Sequence, residues 1–208
     1  MDSPHLSLDR SFFERPTAEV AVDLIACVLW RNSIPGMTAG RIVETEAYLD
    51  AEDRASHAAW SKRGQDVMHR APGTVYIYRS YGMHWMFNIV AHAPGAVGAV
   101  LIRAVEPSEG IELMQARRKI SDVRQLCSGP GKLCQAFGID EAMHKIDLTE
   151  SDAVGIMSTE VVPQVIVGER IGISRSPELP LRFFEAGSRY VSAHRRGVPF
   201  SAEMLPSS

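Results

Sequence analysis

A chain of 208 residues that is 45% hydrophobic and 23% charged can bury one sizeable core and is short for two domains. Its longest apolar run, VAVDLIACVLW at 20–30, contains an aspartate and is too short to cross a bilayer, and no basic stretch leads into an apolar one at the N-terminus, so a soluble cytoplasmic protein with no membrane partner is expected. The net charge of −3 argues against a strong nonspecific polyanion binder, and the 3 cysteines lack a CxxC pair, which excludes a disulfide framework and a cysteine zinc site in favour of buried thiols.

In chain order, RPTAEVAVDLIACVLWR at 15–31 sets Val20, Leu24, Ile25, Val28 and Leu29 at helical spacing behind a Pro-Thr start, which predicts one core helix. GRIVETEAYL (40–49), GTVYIYRSYG (73–82), MHWMFNIVAH (83–92) and GAVGAVLIRAVEP (95–107) read as strands punctuated by Gly and Pro. PSEGIELMQARRK (107–119) predicts a helix capped by Ser108, with Glu109 and Glu112 early and Arg117, Arg118 and Lys119 late, charges that complement its dipole. KLCQAFG at 132–138 predicts another helix, opened by the turn before it and stopped by Gly138. PQVIVGERIGISR (163–175) and RYVSAHR (189–195) read as further strands. Strands run together in the middle, with helices before and after them. That order predicts an α+β fold: one mixed domain over 1–208 with a curved, mainly antiparallel sheet flanked by helices, a protruding hairpin, and flexible termini at 1–9 and 198–208.

Side chains alternate along a regular strand, which places Glu44, Glu46 and Tyr48 on one face and Val43, Thr45, Ala47 and Leu49 on the other. The aliphatic face suits the core and leaves the acids toward a cleft or solvent. By the same rule Tyr76 pairs with Tyr78, His84 and Met86 with Asn88, and Leu101 with Arg103, while Tyr81 falls in a turn and His57 in a loop. Charge is unevenly spread. Residues 168–197 hold Arg170, Arg175, Arg182, Arg189, Arg195 and Arg196 against three glutamates, and SKRGQDVMHR at 61–70 is also basic, so a local basic surface is expected. CSGPGKLC does not satisfy GxxxxGK[ST], and HExxH, GxSxG and GxGxxG are absent.

The strings GRIVETEAYL, DRASHAAW, PGTVYIYRSYGMHWMFNIV, VLIRAVEPSEGIELM and LCSGPGKLCQAFGI, in this order, resemble the alkyladenine (3-methyladenine) DNA glycosylase family, with matches from about 12 to 195. The resemblance implies an enzyme of DNA base-excision repair, associated with the nucleoid, whose partner is double-stranded DNA containing damaged purines. It would flip an alkylated or deaminated purine out of the stack and hydrolyse its N-glycosidic bond as a monomer, without cofactor or metal. Residue by residue it implies Glu46 as the general base on water, with Arg103 holding that water and Glu46 itself. Tyr48 and His57 would lie on one face of the flipped base and Tyr78 on the other, with Ala55 and His57 amides at its edge, Asn88 obstructing the 2-amino group of guanine, and Leu101 lining the pocket. Tyr81 would wedge into the vacated stack. Glu44 inherits no catalytic role and is expected to support a nearby arginine. Lys62, the lysine beside DRASHAAW, matches no Schiff-base position, so a monofunctional enzyme is expected. Two rivals are weaker: a binding module for damaged nucleic acid has no use for Glu46 with Arg103, and Glu44 with Glu46 on one strand cannot flank a scissile bond as an acid/base pair. The loops between His57 and PGT and after Asn88 depart from the mammalian members, which makes lesion range the least transferable property.

Overall fold

The computed structural model describes residues 7–192 and 196–205. Among these residues nine strands form one open antiparallel sheet: β1 (Val28–Arg31), β2 (Thr38–Tyr48), β3 (Val75–Ser80), β4 (His84–Val90), β5 (Ala99–Glu109), β6 (Val154–Met157), β7 (Val165–Gly168), β8 (Arg182–Glu185) and β9 (Val198–Pro199). The helices are α1 (Arg10–Phe13), α2 (Thr17–Asp23), α3 (His57–Trp60), α4 (Lys62–Met68), α5 (Ile111–Arg118) and α6 (Pro130–Phe137). The expected α+β architecture is therefore the observed one. Several boundaries differ.

The helix expected over 15–31 stops at Asp23. Ala26 turns into a left-handed backbone at φ 76°, its N–H donates to Ile42 O, and Val28–Arg31 pair with β2 and β6. An unbroken apolar run satisfies a buried strand as well as a helix, and pairing with β2 decides between them. Ser108 and Glu109 belong to β5, and α5 starts after Gly110, whose φ of 68° and whose approach to Met37 O would put a Cβ at 2.2 Å. Of the strand expected at 163–175 only Val165–Gly168 forms, and residues 189–192 of the expected RYVSAHR strand are not extended, while 193–195 lie outside the described residues. Among residues expected to be flexible, Leu8 donates to Ile156 O, Asp9 caps α1, and Val198–Pro199 pair with β7; residues 1–6 and 206–208 lie outside the described residues.

β2 is the centre of the sheet. One edge pairs with β5 along its length, and the other is shared, with β1 on Thr38–Arg41 and β8 on Glu44–Glu46. β2 is not regular: its register with β5 passes from Ile42↔Val105 to Glu44↔Ala104 and then to Thr45↔Ile102, leaving Val43 and Arg103 as extra residues on their strands. Bulges of this kind bend a strand and re-aim side chains. Accordingly Val43 joins a small cluster with Ala104, Phe184 and Val191, whereas Ala47 packs in the main core with Val20, Leu24, Ile102 and Phe137. The main core lies on the α2 and α6 side of the sheet. On the opposite face α3 and α4 cover the β3–β5 end through Ala58, Val67, Met68 and Tyr76.

Glu44 of β2 is fully buried. Its Oε1 accepts from Arg103 Nε (3.0 Å), Arg182 Nε (2.7 Å) and Ser192 Oγ (2.7 Å), and its Oε2 from Ser192 N (2.7 Å). Burial pushes this carboxyl up, but the Arg103 and Arg182 guanidiniums and the Ser192 donors outweigh it and hold the group below the usual range. Such a group stabilises the fold above its unfolded value near 4.5 and loses that contribution as pH falls through the folded value. Glu44→Gln is therefore expected to cost about 3–5 kcal/mol in urea unfolding at neutral pH, because it strands buried cations. The cost should shrink in acid. Asp66→Asn, which breaks an exposed pair with Lys145, should cost about 0–1 kcal/mol, and equal losses at the two positions would exclude the structural role of Glu44.

Candidate active site

Register aligns the site. Tyr76 of β3 faces Asn88 of β4, Asn88 faces Leu101 of β5, Leu101 faces Glu46 of β2, and Glu46 faces Arg182 of β8. Directly opposed residues in antiparallel strands share a face, so five strands contribute to one transverse row.

Glu46 is fully buried, against the expectation that it faces a cleft or solvent. Its Oε2 accepts from Arg103 Nη1 at 2.9 Å and from the Tyr48 hydroxyl at 2.8 Å, and its Oε1 from the Ile171 amide at 2.7 Å. Burial raises this carboxyl above the usual range, while Arg103, Ile171 and Tyr48 pull it back. Arg103, the extra residue of its bulge, bridges Glu44 and Glu46; burial opposes its charge, but the two glutamates outweigh burial and keep it protonated. Burial and the neighbouring Glu46 raise the Tyr48 hydroxyl, which stays a donor. Arg170 lies 4.8 Å over the Tyr48 ring, so only the other face of that ring can take a ligand.

His57 is not a loop residue. It opens α3 behind Ser56, whose Oγ accepts from Ala58 N, and its Nδ1 lies 2.6 Å from the Tyr76 hydroxyl. Burial pushes the imidazole down to about 4, so it is neutral at physiological pH. Its ring is 4.3 Å from that of Tyr78, and α4 is pressed against it so closely that a Cβ on Gly64 would sit 2.4 Å from His57 Cβ. A base sandwiched between two rings needs them roughly 7 Å apart, two van der Waals contacts. Here the His57 and Tyr78 rings are in contact, so a base between them requires the two to part. Asn88 donates through Nδ2 to Tyr76 O (3.1 Å) and Met86 O (3.4 Å), which leaves its carbonyl oxygen for a ligand. The Ala55 amide is already engaged, donating to Asp53 Oδ1 at 3.1 Å.

Tyr48, Ala55, His57, Tyr78 and Asn88 enclose a cavity of about 20 Å³ at the floor of a cleft of about 820 Å³. Leu101 and Arg103 line the cleft, and Arg54, Arg63, Arg79 and Arg175 edge it. Tyr81 stands at the tip of the β3–β4 hairpin with a left-handed φ of 52° and 85% exposure, beside Met83 at 71%. The basic surface expected from 168–197 is smaller than its arginine content, since Arg170 and Arg182 are buried in ion pairs and Arg195 lies outside the described residues. The groups not anticipated are Tyr76 as the His57 partner, Trp60 against the His57 ring, Arg182, and the Asp53–Arg170 pair with the adjoining Ile171 amide. A backbone donor leaves no mark in residue type. Asp53 was visible only as the first letter of DRASHAAW.

A second groove of about 750 Å³, edged by Phe12, Val22, Val162 and Val165, contains none of these residues. Among the described residues no group of three or more His, Cys, Asp or Glu could hold a metal ion, no helix is long and apolar enough to cross a membrane, and Cys27, Cys127 and Cys134 are free and buried.

The model of the family described as Methylpurine-DNA glycosylase (MPG) matches residues 11–189. Three relatives bear the name "Putative 3-methyladenine DNA glycosylase". That of Chlorobaculum parvum is 45% identical over 92% of this chain and 93% of its own. That of Rhodopseudomonas palustris is 43% identical over 93% and 91%, and that of Methanoculleus marisnigri 44% over 90% and 99%. With this span of matched sequence, the chain belongs to the methylpurine-DNA glycosylase family, hydrolases of N-glycosyl bonds in DNA.

Proposed function

We propose that this protein turns a damaged purine out of duplex DNA, receives it with Tyr48 and His57 on one face and Tyr78 on the other, and hydrolyses its N-glycosidic bond to leave an abasic site. The observation that carries the reading is the buried carboxylate of Glu46, oriented by Arg103, Tyr48 and the Ile171 amide; these three residues line the cleft that Glu46 itself does not reach, and Tyr48 also walls the slot. A carboxylate oxygen has two acceptor sites, and Oε1 uses one on Ile171, so the other can take a proton from water. As the glycosidic bond opens, the sugar gains oxocarbenium character; the negative charge of Glu46 stabilises that cation while the acid deprotonates the water. Confinement strengthens both effects, because the local dielectric is low.

His57 is neutral near pH 7 and Tyr48 is a very weak acid, so neither is a ready proton donor for a neutral leaving base. The site therefore suits alkylated purines whose ring already carries positive charge, which also stack more strongly on tyrosine. No lysine amine lies along the cleft lining, so release by water with no strand cleavage is the chemistry these residues support. Tyr81 fits the vacancy left by the turned-out nucleotide, since a rigid ring on a hairpin tip can enter a groove and unstack a base step. The cleft is edged by arginines that can meet phosphates, and a steep loss of binding with salt is consistent with that edge.

Single-turnover release of bases from a methylated duplex, scored as alkali-labile sites, tests the reading. Glu46→Gln is expected to lower the rate about 10²–10⁴-fold, the usual contribution of a general base. Only ionised Glu46 is a base, so the wild-type rate should rise with pH through a midpoint above the ordinary glutamate value, and this limb should vanish in Glu46→Gln. A wild type that forms no alkali-labile sites on alkylated or deaminated purines would falsify the function. Tyr81→Ser is expected to weaken binding to a lesion duplex and slow the fluorescence change of a neighbouring 2-aminopurine; unaltered affinity and kinetics would remove the wedge. Asn88→Ser is expected to increase release of undamaged guanine, measured by chromatography of the freed bases, and an unchanged yield would exclude Asn88 as the gate.

A further inference from the structure

The Asp53–Arg170 pair touches neither Arg103 nor Glu46 through its side chains, yet it is among the most completely buried ion pairs in the molecule, with side chains 1% and 0% exposed. Arg170 Nη1 donates to Asp53 Oδ2 at 2.6 Å and Nη2 to Oδ1 at 2.8 Å, a two-pronged contact with fixed geometry. Nη1 also donates to Ala47 O at 3.0 Å and Nη2 to Ser176 O at 3.4 Å. Asp53 accepts in turn from Leu49 N on Oδ2 and Ala55 N on Oδ1. The pair thus ties the end of β2 and the chain leading to α3 to the chain leaving β7. One peptide bond beyond Arg170 is the Ile171 amide that holds Glu46, and the face of Arg170 covers the Tyr48 ring.

We propose that Asp53 and Arg170 are positioning residues, a clamp that keeps the Ile171 N–H on Glu46 while fixing Tyr48 and Ala55 at the base slot. This rests on the reading of Glu46 as the general base. A buried ion pair is a poor source of stability, because apolar residues of the same volume do as well. What apolar residues cannot supply is direction. The two-pronged contact orients two segments at once, and those segments carry recognition on one side and hydrolysis on the other. Charge and titration at Glu46 also depend on Arg103 of β5, Glu44 and Tyr48 of β2 and Tyr78 of β3, which remain when the clamp is altered, and on the charge of Arg170 itself, which Arg170→Lys retains.

The test needs no activity to begin. In uniformly labelled wild-type protein, the Ile171 amide resonance should move with the titration of the Glu46 carboxyl, whose signal is identified by its absence in Glu46→Gln. An Ile171 resonance indifferent to that titration overturns the clamp. Two variants extend the test: Arg170→Lys keeps a cation without the two-pronged contact, and the double variant Asp53→Asn, Arg170→Gln leaves no buried charge unpaired. In Arg170→Lys, which keeps the charge, the Glu46 midpoint should rise by about one pH unit because a donor to the ionised form is lost, and in the double variant by at least as much, because the Arg170 charge goes too. On a methylated duplex, kcat should fall roughly tenfold to a hundredfold, as misplacement of a catalytic group does, and its acid limb should shift upward with the carboxyl. A folded variant with the wild-type Glu46 midpoint overturns the inference. A shifted midpoint with an unshifted acid limb leaves the clamp standing and removes Glu46 as the base.

Discussion

Arg103 is held between two fully buried carboxylates, and the rest of the site follows from having to keep that arrangement neutral and satisfied. Glu44 and Glu46 would not both ionise in one apolar place without compensation, so Arg103 bridges them and Arg182 supplies the second cation. Two bulges, at Val43 and Arg103, bring the guanidinium within reach of both. The strands of the branch point are fixed by the same contacts: β5 brings Arg103, β8 brings Arg182, and the segment after β8 brings Ser192. Desolvation then becomes useful. It leaves Glu44 well ionised with four donors, while Glu46, with fewer, is lifted into the range where a carboxylate is a stronger base.

Much of this was legible in residue order. The strands 40–49, 73–82, 83–92 and 95–107 carry clear period-two patterns, and they are the strands on which Tyr76, Asn88, Leu101 and Glu46 stand in a row. Shared faces were correct for Glu44 with Glu46, since both reach Arg103, and for Tyr76 with Tyr78, whose rings are 5.4 Å apart. Tyr81 was placed in the turn by the glycine after it. The family strings assigned roles that alternation could not separate, giving Glu44 and Glu46 different tasks although both look alike on a strand.

What was not legible had physical reasons. Alternation assumes regular pairing, so Val43 was assigned to the wrong cluster once a bulge intervened. Residues 24–29 suit helix or strand equally, and only the distant β2 selects between them. The burial of Glu46 depends on the chain leaving β7 and on β8, about 125 and 136 residues away, through contacts no local pattern encodes. His57 was read as a loop residue because its partner, Tyr76, lies across a segment whose fold into α3 and α4 leaves no clear periodic pattern. Arginine counts misled for a similar reason: counting cannot distinguish Arg175 at the cleft edge from Arg170 and Arg182 in the interior.

The size of the slot adds a last constraint on recognition. Its cavity of about 20 Å³ is far smaller than a purine, whereas the cleft above it is about 820 Å³, so on the proposed reading a base rests in the cleft before it enters the slot. On that reading entry parts the rings that line the slot, and neither Tyr48 nor His57 yields easily: Arg170 backs Tyr48, while Gly64 and Tyr76 back His57. Expansion against such backing costs free energy that the incoming ring must return by stacking. Aromatic contacts contribute about 0.5–1.5 kcal/mol each beyond burial, and a cationic ring adds to that. A normal purine, well stacked in the duplex and uncharged, returns less and gives up more. On that reading discrimination is distributed over the whole approach, from the cleft through the walls of the slot, before Glu46 acts as the proposed base.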